Sequence, residues 1–186
     1  MRWIAMALMG ALALYLVMEG SDSPNDDGIR VLGTRCTDDC CRVSYNLVDQ
    51  VSRLVQTNGL AGVVRHLRDH SDAFMSDAGE RVWIHRYDSN ADAYIYLYHG
   101  DPSLHQKTAS EASDVLSDRC GCADPRHVMA TIARHVKTEG VVEYPWYDIK
   151  TGDEVRKRSY VRRVGDGVYI GCGAAIKPQR DADRVG

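Results

Sequence analysis

The sequence predicts an α+β domain: one antiparallel sheet, a long N-terminal helix and additional helices packed against it. Three observations carry this. Apolar residues at helical spacing fill the stretch after Thr37. Apolar and polar or aromatic residues then alternate with period two in several later segments. Gly, Asn, Asp or Pro marks each reversal between them.

The first helix begins near Thr37-Asp38, which can cap it, with Asp38 and Asp39 complementing its dipole. Leu47, Val51, Leu54 and Val55 form one apolar stripe, and Asn58-Gly59 stops it. A short second helix turns Val63, Val64 and Leu67 inward. Strands follow at Arg81 to Asp88 and Asp92 to His99, joined through Ser89-Asn90 as a hairpin, and Gly100-Asp101-Pro102 breaks the sheet. Ser103 to Arg119 reads as a weakly helical connection. Asp124-Pro125 is a strong helix start, with Val128, Met129, Ile132, Ala133 and Val136 as the buried stripe. Three strands close the domain: Val141 to Tyr147, Glu154 to Val164 and Val168 to Ile176, with turns at Thr151-Gly152 and Gly165-Asp166-Gly167. No internal repeat is found.

Composition narrows the function. A net charge of −3 carries no nucleic-acid footprint. Arg2 followed by the apolar run Trp3 to Met18 is the pattern of a signal peptide or signal anchor, which places the remainder outside the cytoplasm. Residues 1–19 are therefore read as leader or anchor, 20–35 as a flexible tether, 36–176 as the domain and 177–186 as a polar tail. The six cysteines, Cys36, Cys40, Cys41, Cys120, Cys122 and Cys172, read as disulfides first in an exported chain, and sequence does not choose their pairing. Zinc-site spacings and the haem-attachment motif are missing, so neither metal nor cofactor is expected.

Nucleophile-elbow, phosphate-loop and zincin motifs are also missing, and no enzymatic activity is expected. Gly171-Cys172-Gly173 falls within a strand, where small residues permit close packing. In the strand Glu154 to Val164, Val155, Lys157, Ser159 and Val161 share one face. Arg156, Arg158, Tyr160 and Arg162 share the other, read as a solvated surface. A lysine among apolar neighbours must snorkel, pair with a carboxylate or meet an anionic ligand. His99 ends its strand on the Ile95/Leu97 face, as a core histidine or a ligand contact. Tyr144 and Trp146 combine apolar bulk with a polar tip, which suits either a pocket or ordinary packing.

The segments Gly140 to Val164 and Tyr169 to Ile176 together resemble the C-terminal half of single Cache domains. The shared features fall on Gly140, Tyr144/Trp146, Thr151-Gly152, Lys157-Arg158-Ser159-Tyr160-Val161 and Gly171-Cys172-Gly173. His99-Gly100-Asp101-Pro102-Ser103-Leu104 and Lys107 resemble an upstream segment of that family, with Gly100 and Gln106 departing from its pattern. The likeness implies a PAS-like extracytoplasmic sensor fold that binds a small organic acid, with Lys157, Tyr144, Trp146 and His99 as ligand contacts. Only ten polar residues follow Ile176. The expectation is therefore a stand-alone sensing module working through a transmembrane signalling partner. The alternative is a disulfide-braced interaction or structural protein that reuses the fold without a ligand.

Overall fold

The computed structural model describes residues 28–34, 39–76, 79–88, 90–117, 123–148 and 150–176. The leader, the tail, Cys36, Cys120, Cys122 and the side chain of Cys40 lie outside them. Among the described residues no helix is long and apolar enough to cross a membrane.

The chain runs β1 (Arg30–Val31), α1 (Asp39–Asp69), β2 (Val82–Asp88), β3 (Ala93–Tyr98), α2 (Ala109–Ser117), α3 (Pro125–His135), β4 (Glu139–Tyr147), β5 (Glu154–Gly165) and β6 (Val168–Ala175). Single 3₁₀ turns sit at Ser71–Phe74 and Pro102–Leu104. One antiparallel sheet has the order β1-β4-β5-β6-β2-β3. The expected hairpin and three-strand meander are both present, and β2 joins them by pairing with β6.

Both faces of this sheet are buried, each under a different cover. Val48, Val51, Val63 and Leu67 of α1 pack on Val82, Ile84, Val141, Tyr160, Ile170 and Cys172. Val128, Met129, Ile132 and Val136, from α3 and the residue after it, share the opposite core with Trp83, Tyr96, Val142, Tyr144, Trp146 and Val161.

Three local readings change and one holds. Within the expected tether Ile29 is buried and Arg30–Val31 pair with Glu143 and Val142, because the β4 edge offers them a ladder. The expected helix stop at Gly59 holds: Gly59 has φ 72° and ψ 157°, a non-helical conformation open to glycine, and a second helical stretch follows it within α1. The buried stripe before it is Cys41, Ser44, Val48 and Val51, while Leu47, Leu54 and Val55 are half-buried. The face of Arg156, Arg158, Tyr160 and Arg162 is not a solvated surface. α1 covers it: Tyr160 is only 1 % exposed, and Arg162 donates to Asp49 of α1 at 2.7 Å.

In the weakly helical stretch, Thr108 and Glu111 form a capping box that starts α2. Thr108 N donates to Glu111 Oε2 at 2.8 Å, and Glu111 N donates to Thr108 Oγ1 at 3.2 Å. Asp124 caps α3 by accepting from Arg126 N at 2.9 Å. Cys172 is a free, buried thiol against the α1 core, which removes it from the expected disulfides, whereas Cys41 is disulfide-bonded.

Candidate functional site

Strand β2 alternates, so Val82 and Ile84 face α1 while Trp83 and His85 face α3. On β6, Gly171 lies opposite Trp83. A Cβ there would sit 2.0 Å from Trp83 Cζ2, so only glycine lets the indole lie across the strand. Gly173 plays the same part for Ser159, whose Oγ would be 2.1 Å from an added Cβ. These contacts give the close-packing reading of the glycine pair its physical reason.

Strand β3 carries a register shift: Ile84 pairs with Tyr98, but His85 pairs with Tyr96. The extra residue turns the strand's end around, as a bulge does. Tyr98 therefore joins the α1 core and Tyr96 the α3 core. His99 does not share a face with Ile95 and Leu97, as simple alternation implies. It lies against Tyr96, with ring centroids 5.3 Å apart, and Trp146, at 6.2 Å.

The result is a small cavity walled by Trp83, His85, Tyr96, His99, Tyr144 and Trp146 on the sheet side. Val128, Met129 and Ile132 of α3 close it from the other side. Its volume is about 10 Å³, near the room one water needs. Three of the four sequence-predicted residues, Tyr144, Trp146 and His99, meet here. Lys157 is not in the wall. It pairs with Tyr144 in register, which puts it on the same face, and is 9 % exposed. Among the described residues its ammonium makes no hydrogen bond or ion pair. Burial pushes its pKa down.

The polar atoms of the wall are short of partners. Trp83 Nε1, His85 Nε2 and Trp146 Nε1 are buried without a hydrogen bond, in side chains that are 5 %, 1 % and 2 % exposed as residues. The Tyr144 hydroxyl lies near the Trp83 indole N–H, yet the pair misses hydrogen-bonding geometry. Its partner instead is Ser159 Oγ at 2.8 Å. Two further buried hydroxyls without partners, those of Ser44 and Ser103, lie outside the wall.

His99 is fixed by the loop that follows it. Asp101 N donates to His99 Nδ1 at 3.0 Å, which leaves the proton of the neutral ring on Nε2. Asp101 is itself held, accepting from Ser103 N at 2.8 Å and from the Tyr147 hydroxyl at 3.0 Å. Burial holds His85 down to about 3. His99 is also held to about 3, by burial first and then by the Lys157 charge. Both rings are neutral at pH 7. Burial likewise pushes Tyr144 up to about 12, so its hydroxyl stays protonated.

Trp83, His85 and Tyr96 complete the wall and escape a reading from sequence. Alternation assigns them a common face, but Val82 and Ile84 mark the other face as the core, and nothing in the pattern shows that both are buried. The chemical character is clear: two indoles, two imidazoles and two phenols line the cavity, and no carboxylate does.

The chain matches no protein-family model and no curated protein. Two solved structures are similar to it. One is the periplasmic sensor domain of a chemotaxis protein, at 17% identity and TM-score 0.50, over 74% of this chain and 90% of that one. The other is a Cache chemosensory domain described for its carboxylic acid recognition, at 19% identity and TM-score 0.50, over 74% and 88%. The fold is that of a PAS-like Cache sensor domain, as the resemblance of the C-terminal strands implies.

Proposed function

We propose that the domain is an extracytoplasmic sensing module that takes a small organic acid into the site between β2–β4 and α3. The observation that carries this is the set of donors without acceptors around one cavity. A buried N–H left unpaired costs about 1–3 kcal/mol, so the two indole N–H groups of Trp83 and Trp146 call for an acceptor from outside. A carboxylate offers such acceptors on two oxygens. The unpaired ammonium of Lys157, beside Tyr144, supplies a countercharge within reach of a flexible side chain.

The apolar α3 wall suits a short hydrocarbon tail, and the small volume means that α3 or the rings give way as the acid enters. The leader-like run Trp3 to Met18 and the periplasmic origin of one similar domain support placement outside the cytoplasm. In this reading a membrane signalling partner receives the liganded state.

Isothermal titration against acetate, propionate, butyrate, lactate and pyruvate tests it, with acetamide as the neutral control. At least one acid binds and acetamide does not. Lys157→Met weakens that acid by about 10- to 100-fold, the range for a charge-assisted hydrogen bond. A bound acid also raises the thermal midpoint with its concentration. If no acid gives heat or a midpoint shift, the sensing reading fails and the interaction-protein alternative stands.

A further inference from the structure

We propose that His85 takes up a proton as the acid binds, so that the site captures an acid and a proton together. This rests on the small-acid reading and adds the group that balances the ligand's charge.

The geometry singles out one nitrogen. The His85 ring stacks on Trp83, with centroids 5.0 Å apart and planes 17° apart. Tyr94 meets it edge-on at 5.8 Å, and Tyr169 lies tilted to it at 5.2 Å. Its Nε2 is buried with no partner, in a ring that lines the cavity. The other wall histidine is differently placed: His99 Nδ1 already accepts from Asp101 N, so protonating it would break that bond. His85 can accept a proton without losing anything.

No fixed charge faces His85 itself, and the Lys157 ammonium lies beyond Tyr144, outside the cavity wall. The groups facing His85 are Trp83 on its own strand, Tyr94 and Tyr96 of β3, Tyr169 of β6 and the apolar residues of α3. The nearby charges act elsewhere: Arg134 on Tyr94, Asp124 on Tyr96 and Lys157 on His99. Burial alone keeps His85 neutral at pH 7. A carboxylate entering a cavity of neutral groups pays a heavy desolvation cost unless a positive charge accompanies it. The step balances simply. The Nε2 lone pair takes a proton from solvent, and the new N–H donates to a carboxylate oxygen.

Titration calorimetry of the full chain, with propionate and lactate as probes, reads the proton directly. In phosphate and Tris at pH 7, the binding heat differs by the buffers' ionisation enthalpies times about one proton. Affinity falls by about tenfold per unit as pH rises from 6 to 8, the linkage slope for one proton. His85→Gln keeps an N–H donor but cannot ionise. It binds the acid within about tenfold of the parent, with no proton uptake and a flat pH profile.

Binding with no proton uptake in the parent chain overturns the proposal and leaves the acid-sensing reading intact. Uptake that persists in His85→Gln overturns it too, moving the proton to His99 or Lys157. If neither probe nor any of the other acids binds, the proposal falls together with the sensing reading. Should His85→Gln fail to fold, the ring ¹⁵N shift of His85 decides, since Nε2 moves to the imidazolium position on adding acid or the proposal is lost.

Discussion

The two faces of the sheet are equally buried but treat their polar groups in opposite ways. On the α1 face, Arg162 donates to Asp49 at 2.7 Å and to Glu139 at 3.1 Å, and the Tyr160 hydroxyl donates to Glu139 at 2.5 Å. Arg158 donates to Glu143 at 2.6 Å. The hydrogen bond from Arg162 holds the Asp49 carboxyl below its usual range. On the α3 face, Trp83, His85 and Trp146 each bury a nitrogen with no partner. The charged and phenolic groups named on the α1 face are completed within the chain, although the Ser44 hydroxyl there is not, whereas the three ring nitrogens of the α3 face have no partner within it. The first arrangement serves stability, and the second is the one that the proposed acid would complete.

The largest test of that division strikes the contact on which the α3 face is built. Gly171→Ala forces Trp83 aside, since the ring carbon 2.0 Å from the new Cβ belongs to a rigid, packed side chain. Overpacking of this kind lowers stability by about 3 kcal/mol in urea denaturation and abolishes acid binding by moving the wall. Gly59→Ala is the control on α1. It meets nothing within 4 Å, and its positive φ alone costs about 1 kcal/mol with binding unchanged. Equal losses in the two variants would show that Trp83 has freedom the packing denies it.

Acidification separates the faces next. His85 and His99 are held to about 3 in the folded chain, against about 6.5 when unfolded. Between those values the unfolded chain binds more protons. Stability that is fully present above pH 6.5 is therefore lost as pH falls toward 3. At pH 5 the loss is about 2 kcal/mol for each ring. Asp49 is shifted the same way, but from 3.8, so its contribution fades only below about pH 4. Between pH 7 and pH 5, His85→Phe should thus lose about 2 kcal/mol less than the parent, keeping only the His99 loss. An acid limb in the variant identical to the parent's would mean that His85 is already charged.

Much of this architecture is legible from residue order because the strong signals are local. Asp124-Pro125 opens α3, Gly165-Asp166-Gly167 turns β5 into β6, and period-two alternation places Tyr144, Lys157 and Ser159 on one face. What escapes depends on contacts distant in sequence. The register shift in β3 reassigns Tyr98 and His99 without any glycine or proline to announce it. Arg162 reads as a surface residue until Asp49, far upstream, is brought to it. Trp83 and His85 are hidden for a related reason: alternation distinguishes two faces only when one of them is wet. The capping box of Thr108 and Glu111, by contrast, was in plain view as T-x-x-E.

The smallest effect makes the sharpest contrast, because one polar group is removed from each face, with the ring kept at Tyr160 and made smaller at Trp83. Tyr160→Phe deletes the hydroxyl that donates to Glu139 and lies 3.3 Å from Arg162 Nη2. A carboxylate and a guanidinium lose a neighbour, and stability falls by about 1 kcal/mol. Trp83→Phe deletes an N–H that has nothing to lose. The desolvation of that group is relieved, and the gain offsets the smaller ring's lost packing, so stability stays within about 1 kcal/mol of the parent. Binding moves the other way: Tyr160→Phe leaves the acid's affinity unchanged, while Trp83→Phe weakens it several-fold. Denaturation and titration on the same two variants check this together. A Trp83→Phe chain that loses stability and keeps full affinity would make the α3 face as structural as the α1 face, and the unpaired nitrogens would need a different explanation.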